Sequence, residues 1–349
     1  MAELIEPLPQ HRFSTAALWE LLQQDILEAV PPFTLQQFQG GQSNPTFRID
    51  DSAEHAYVLR KKPPGDLLPS AHAVEREYAV MRALAATDVE VPRMRLLCED
   101  ASVIGTPFYV MDYVQGRVLT DLRLTSIPVA ERAAYYFAMA DGLARLHRVN
   151  WRELGLAGFG RPDGYVARQI ARWTKQYLAS GPDANADMLR LIDYLPAHIP
   201  AEEPAVIAHG DYRLGNLMFD QDAPVLKAIL DWELATLGDP LSDLAYLCSF
   251  YHLPHDQEPF RGLGGLDTHS IGIPSEAMLL ARYCESAGRS ELPANWPFYL
   301  AFSLFRSAAI GQGVYDRSRR GNAADSRAAL YQQMVVTCAR AAWSVASPA

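Results

Sequence analysis

The chain is expected to adopt an α+β fold of two lobes, a small strand-rich N-lobe and a larger, mainly helical C-lobe. Three observations predict it. Residues 34–114 carry short apolar runs of period two around a single helical pattern. Residues 115–349 carry long patterns of period 3.6. One short block, AVIAHGDYRLGNLMFDQDAPVLKAILDWE, interrupts those helices with a strand, a glycine-containing loop and a hairpin. The boundary falls near Val114–Gly116, which gives lobes of 1–114 and 115–349. A leader helix over Thr15–Val30 ends at Pro31-Pro32.

Composition narrows the class. The chain has 349 residues, 49% hydrophobic and 21% charged, which is ordinary for a globular protein with a sizeable core. Four cysteines, Cys98, Cys248, Cys284 and Cys338, are far apart and form no C-x-x-C pair. That spacing argues against a disulfide scaffold or a zinc site and fits a reducing cytoplasm. The N-terminus MAELIEPLPQHRF lacks the basic and apolar regions of a signal peptide. No apolar run approaches the roughly 20 residues of a membrane span. A net charge of -10 argues against nucleic acid as the partner. There is no internal repeat and no low-complexity segment, and oligomeric state is not legible.

The interrupting block carries the chemistry. Ala205–Ala208 reads as a strand end, His209–Gly215 as a loop, and Leu217–Phe219 and Val225–Leu230 as a hairpin around Asp220-Gln221-Asp222. Such a hairpin returns Asp231 to the side of Asn216, with Asp211 on the adjoining loop. One carboxylate beside an acceptor hydroxyl, with an amide and a second carboxylate to hold Mg²⁺ on ATP, is the layout of a kinase-type phosphotransferase. Asp211 is then the catalytic base, and Asn216 and Asp231 are the metal ligands. The competing reading is that Asp211 and Asn216 merely cap turns.

HGDYRLGN followed by ILDWE and GDPLSDLAYL resembles the aminoglycoside phosphotransferase superfamily, small-molecule kinases with a protein-kinase-like fold. FQGGQSNPTFRI, YVLRKKPPGDLLPSAHAVEREY and VIGTPFYVMDYVQGR resemble one branch of it, the kinase-like domain fused to acyl-CoA dehydrogenases. The resemblance covers roughly residues 30–345 and implies a nucleotide-binding N-lobe and a catalytic, acceptor-binding C-lobe. It implies Mg·ATP as phosphoryl donor and a small-molecule hydroxyl as acceptor. The branch suggests a hydroxyacyl compound or its CoA thioester. Alternatives are an aminoglycoside or other amino-alcohol acceptor, and a nucleotide-binding pseudokinase module. The intact Asp211, Asn216 and Asp231 argue against the last. Asp-Trp-Glu stands in place of Asp-Phe-Gly, and no A-P-E follows, which argues against a protein acceptor.

The N-lobe residues divide among three roles. Gly40, Gly41, Gln42, Ser43 and Asn44 lie between two strands, where backbone N–H groups can approach phosphates; a plain hairpin turn is the rival reading. Arg60 takes the position of the kinase strand lysine, with Lys62 on the same face as its rival. In the helix expected over Ser70–Ala86, with Ser70 as N-cap, Glu77 falls on the apolar arc and Glu75 outside it. A buried carboxylate needs a cation, so Glu77 is the partner that orients Arg60. Met111 would line the adenine pocket, with backbone from Asp112 to Val114 contacting the base, as the resemblance implies.

The C-lobe residues are read as support or as acceptor contacts. His209 braces its loop, and Asp243 either receives loop N–H groups or sits at a helix start favoured by the macrodipole. His147 reads as a satisfied buried histidine. Glu233 is open between a metal contact and a surface role. Arg306, amid apolar residues, wants an anion from protein or ligand. Acceptor specificity is expected in Trp151–Leu195 and after Ile273. An aminoglycoside would need acidic residues such as Asp256-Glu258 in the cleft.

Overall fold

The structure is a computed structural model, and it describes residues 3–39, 44–65, 72–180, 185–258, 261–319 and 330–347. The chain divides into two compact units. The first comprises Met1–Val118, Arg152–Phe159 and Asn216–Ala235. The second comprises Leu119–Trp151, Gly160–Gly215 and Thr236–Ala349.

The first unit is built on a six-stranded sheet of β1 (Leu4–Ile5), β2 (Thr34–Phe38), β3 (Thr46–Asp50), β4 (Ala56–Lys61), β5 (Met94–Cys98) and β6 (Phe108–Asp112). The strand order is β1-β2-β3-β4-β6-β5, and every neighbouring pair is antiparallel. Alternation along β4 sends Tyr57 and Leu59 to one face. There they join Phe47, Ile49, Phe108 and Val110 over Leu18 and Leu22 of the helix Ala16–Asp25. Arg60 points to the other face, beside its cross-strand partner Tyr109. Lys61 returns to the first face and lies over the Phe13 ring at 4.7 Å.

The helix Val74–Leu84 buries Val74, Glu77, Val80, Met81 and Leu84, a stripe at helical spacing that includes the glutamate. It begins at Val74, with Ala73 at the N-cap and no side-chain cap; the expected cap Ser70 lies outside the described residues. The leader helix is shorter than expected and stops at Asp25. Beyond it the chain is tied instead to the β3–β4 turn, where Asp51 accepts the Val30 N–H at 3.0 Å. A second, three-stranded sheet pairs Leu226–Ile229 with Leu217–Phe219 and Leu217–Phe219 with Arg117–Val118, all antiparallel. Gly116 is required at its edge, because a Cβ there would lie 2.4 Å from the Phe219 carbonyl oxygen.

The second unit is mainly helical. Arg132–Arg148 and Glu276–Ala287 pack together, as do Trp296–Arg319 and Leu330–Ala346. Pro240–Ser249 packs against Trp296–Arg319 and is buried along nearly its whole length. A two-stranded ribbon pairs Val206–Ala208 with Thr236–Gly238 and delivers the chain to His209. Among the described residues no helix is long and apolar enough to cross a membrane, and all four cysteines are free thiols.

Candidate active site

In the first unit a single arginine gathers three carboxylates. Arg60 Nε lies 3.1 Å from Glu77 Oε2, and its terminal nitrogen donates to Asp231 Oδ1 at 2.8 Å, with Glu233 Oε2 at 3.7 Å. The Nε–Glu77 contact is an ion pair whose N–H is not aligned on the oxygen, so Nε has no hydrogen bond of its own. Glu77 is 1% exposed and takes its aligned donors elsewhere: Asn44 Nδ2 at 2.9 Å and the Tyr109 hydroxyl at 3.1 Å. Lys62 turns to Glu75, at 2.9 Å, so Arg60 is the cation on Glu77. The neighbouring Arg76 acts elsewhere, donating to the Phe159 carbonyl at 2.7 Å and covering the Phe159 ring.

Burial raises Glu77 to about 7, against the opposing pull of Arg60. Burial also works against the Arg60 charge, but Glu77, Asp231 and Glu233 help to outweigh it, and its pKa rises. A carboxyl group whose folded pKa is raised holds its proton longer than the unfolded chain does. Its contribution to stability is therefore complete below 4.5 and is lost as pH rises through about 7. The expected result is that Glu77→Gln removes part of the fall in stability between pH 5 and pH 8. Urea denaturation of both proteins at the two pH values checks it; parallel pH dependences would contradict the assignment.

Asn216 and Asp231 end up side by side through backbone pairing. The Leu230 N–H donates to the Asn216 carbonyl at 2.8 Å, closing the base of the hairpin. Asn216 is 5% exposed. Asp231 sits at φ 63°, ψ 65°, a left-handed conformation that costs a non-glycine residue about 1–3 kcal/mol and is kept where the surroundings impose it. The Arg60 contact and the following buried Trp232, whose indole donates to the Ile229 carbonyl at 2.9 Å, supply that constraint. An amide oxygen and a carboxylate are hard donors that suit Mg²⁺. Among the described residues no cluster of three or more His, Cys, Asp or Glu side chains is arranged to hold a metal alone. A two-ligand site that shares its ion with substrate phosphates is the arrangement these residues fit.

The remaining nucleotide-side expectations fare unevenly. Gly40, Gly41, Gln42 and Ser43 lie outside the described residues. Asn44 is described, and its side chain is committed inward, to Glu77 and to His72 at 2.9 Å. Met111 and Val114 are half-buried. The Asp112 carboxylate pairs with Arg95, and the Asp112 and Tyr113 N–H groups donate to the carbonyls of Arg93 and Ala56.

In the second unit the His209–Gly215 loop is held from several sides. Asp243, 2% exposed, accepts the N–H groups of His209 at 2.5 Å and Gly210 at 2.8 Å. Burial pushes the Asp243 carboxyl up, but bonds from His147 and Gly210 and the nearby imidazoles hold it below its usual value. His147 bridges Tyr283, at 2.7 Å, and Asp243, at 3.5 Å, and is a satisfied interior histidine. Gly210 adopts φ 82°, a conformation suited to glycine, and its carbonyl accepts from Arg306. The His209 Nδ1 accepts the Asp211 N–H at 3.2 Å, which assigns the ring proton to Nε2 when the ring is neutral. Tyr212 is fully buried, and its hydroxyl donates to the Met139 carbonyl at 2.8 Å. The Asp211 side chain is therefore presented by a loop whose backbone has little freedom.

Asp211 has two side-chain neighbours that the sequence did not single out as partners. The Tyr246 hydroxyl is hydrogen-bonded to its carboxylate, and Arg213 Nε lies 3.4 Å from Oδ2. Tyr246 stands one helical turn after Asp243 on Pro240–Ser249, so the i,i+3 spacing was the available signal. Among the described residues Arg306 makes no ion pair with an acidic side chain. Its guanidinium serves the Gly210 carbonyl and lies near the rings of Trp173 and Tyr246.

Residues 34–280 match the phosphotransferase enzyme family. The chain belongs to that family. Its α+β fold is protein-kinase-like. A solved candidate aminoglycoside phosphotransferase from Ralstonia eutropha is 44% identical, with a TM-score of 0.87, over 96% of this chain and 98% of that one. The phosphotransferase is 45% identical to mouse (Mus musculus) acyl-CoA dehydrogenase family member 10 over 90% of its own length and 29% of the relative's. It is 41% identical to human (Homo sapiens) acyl-CoA dehydrogenase family member 11 over 96% of its length and 43% of the relative's. The chain thus spans less than half of those curated relatives.

Proposed function

We propose that this phosphotransferase moves the γ-phosphoryl group of Mg·ATP to a hydroxyl of a small acyl compound, a hydroxy acid or its CoA thioester, in the cytoplasm. The reading rests above all on Arg60, which gathers the buried Glu77 and the left-handed Asp231 at one point of the nucleotide-binding lobe, 1–114 with the returning hairpin. The acyl-CoA dehydrogenase names of the mouse and human relatives support an acyl-bearing acceptor.

Each residue has a part in this reading. Glu77 orients Arg60, and the Arg60 guanidinium neutralises the α- and β-phosphates. The segment Gly40–Asn44 covers the phosphates with backbone N–H groups, and Met111, Asp112 and Val114 form the adenine wall. Asn216 and Asp231 would hold Mg²⁺, which when bound offsets the charge of the phosphate oxygens. In the catalytic lobe, 115–349, Asp211 orients the acceptor hydroxyl and takes its proton. The acceptor oxygen bonds to the γ-phosphorus as the bond to the β,γ-bridging oxygen breaks, and ADP leaves. The transition state is loose, so the positioning of Asp211 by His209, Tyr246 and Asp243 contributes more than its basicity.

The test is ADP release from Mg·ATP with hydroxyacyl-CoAs, free hydroxy acids, aminoglycosides and amino alcohols as acceptors. Release with the acyl class alone is the expected result; release with amino sugars or with none of the classes contradicts the acceptor proposal. Asp231→Ala is expected to weaken Mg·ATP binding itself, by at least about tenfold, as is usual when a carboxylate ligand or its support is lost. Equilibrium titration with a non-hydrolysable ATP analogue, with and without Mg²⁺, measures it. Equal affinity in the two proteins would remove Asp231 from the metal site.

A further inference from the structure

A cavity of 460 Å³ opens in the second unit, large enough for a small organic ligand. Its wall includes Asp121, Arg123, Arg213, Gly215, Glu258 and Arg261. Arg213 leans toward Asp211, outside the wall, and the other two guanidinium groups, Arg123 and Arg261, have Asp121 and Glu258 as partners that do not hold them firmly. Asp121 is occupied by its own turn: it accepts the Arg123 and Thr125 N–H groups at 3.0 and 3.1 Å and the Thr125 hydroxyl at 2.5 Å. Its contact with Arg123 Nε is left long, at 3.4 Å. Glu258 meets Arg261 at 2.8 Å, but both side chains are about half exposed, and a solvent-facing pair of this kind exchanges readily for another anion.

The arginines stand on backbone shaped to hold them. A Cβ at Gly215 would lie 2.8 Å from the Arg213 guanidinium, so the bare glycine gives that side chain its place. A Cβ at Gly262 would lie 2.1 Å from the Leu253 carbonyl oxygen. The chain after Arg261 is pinned there by Gly262 N–H to the Pro254 carbonyl at 2.9 Å and Leu263 N–H to the Phe250 carbonyl at 2.8 Å. Arg213 also reaches Asp211, so one wall of the cavity is continuous with the proposed base.

We propose that this cavity is an oxyanion subsite for the acceptor, with Arg123 and Arg261 binding a carboxylate or phosphate group of the molecule whose hydroxyl meets Asp211. The inference rests on the kinase reading for the role of Asp211 alone; the anion preference stands on the cavity. Planar guanidinium forks suit carboxylate and phosphate oxygens, and Arg123 and Arg261 in one wall disfavour ammonium groups. The subsite therefore selects an acidic hydroxy compound and rejects a polycationic amino sugar. Glu258, one of the acidic residues an aminoglycoside would need, is here the counter-ion of Arg261.

Calorimetric titration of the full chain tests it, with 6-hydroxyhexanoate, its neutral amide, its CoA thioester and 6-amino-1-hexanol as probes. The acid is expected to bind the wild type at least about tenfold tighter than the amide, and the amine not to bind; tenfold is the scale of one charge-assisted contact. In Arg123→Gln/Arg261→Gln the acid and the amide should become equal, with affinity for Mg·ADP and the thermal midpoint unchanged. A thioester that binds like the amide assigns the subsite to the carboxylate; one that binds like the acid assigns it to the phosphates of CoA. Equal binding of acid and amide to the wild type, or an acid preference kept by the double variant, overturns the proposal. Turnover separates the two readings: ADP formation without an acid preference sinks the subsite alone, and an acid preference without ADP formation sinks the kinase reading alone.

Discussion

Asp211→Asn is expected to lower kcat by about 10²–10⁴-fold, the usual contribution of a positioned general base, while the affinity for Mg·ATP stays at the wild-type value. The substitution preserves the shape of the side chain. An asparagine oxygen can still accept from the Tyr246 hydroxyl, and its backbone N–H can still donate to His209 Nδ1. The loop has no reason to move, since its anchors at Asp243, Arg306 and Met139 are elsewhere. What is lost is the capacity to take a proton and the negative charge that turns the acceptor hydroxyl toward it. The kinetic signature follows: kcat and kcat/KM for the acceptor fall together, because the interaction is made in the transition state. Rapid-quench measurement of ADP formation gives kcat, and analogue titration gives the nucleotide affinity. Full turnover in the variant would remove Asp211 from the role of base. Loss of nucleotide affinity would place it at the nucleotide instead.

The parts of this arrangement that were legible in the sequence are those written in local periodicity. Glu77 was separable from Glu75 because a 3.6-residue repeat puts it with Val74, Val80, Met81 and Leu84, and burial of that stripe carries the carboxylate inward. The return of Asp231 to Asn216 followed from the length of a hairpin, and the Leu230–Asn216 bond is its closing rung. Helix limits were less legible. The leader helix ends at Asp25, and the backbone at Val30 is held instead by Asp51, distant in sequence. The partners of Asp211 were not legible as partners. Tyr246, Arg213 and Arg306 converge on the His209–Gly215 loop from two helices and from the loop itself. Nothing in the pattern of Phe302–Arg306 foretells that its arginine donates to the Gly210 carbonyl. The side-chain partner of Asn44 shows the same limit: nothing in its surroundings in the sequence foretells that its amide turns inward to Glu77.

Asp243→Ala carries the largest expected loss of stability, about 3–5 kcal/mol, the range for removing one member of a buried charged network and leaving the others unpaired. One carboxylate, 2% exposed, serves the N–H groups of His209 and Gly210 and the imidazole of His147. Alanine leaves two buried backbone donors without an acceptor. His147 keeps the Tyr283 hydroxyl but loses its second contact. The acid limb supplies an independent check. The Asp243 carboxyl lies below its ordinary 3.8 in the folded protein, so its contribution is present above that value and is lost as pH falls below it. Wild type and Asp243→Ala should therefore differ most near neutrality and converge on acidification. Asp243→Asn separates the two components, since it keeps one acceptor for the loop and discards the charge. An intermediate loss, insensitive to acid, is the expected result for it. Chemical denaturation of the three proteins at pH 7 and pH 3.5 measures all of this. If Asp243→Ala were as stable as the wild type at pH 7, the loop would be held by Tyr212 and Arg306 alone, and the carboxylate would serve only the start of its helix.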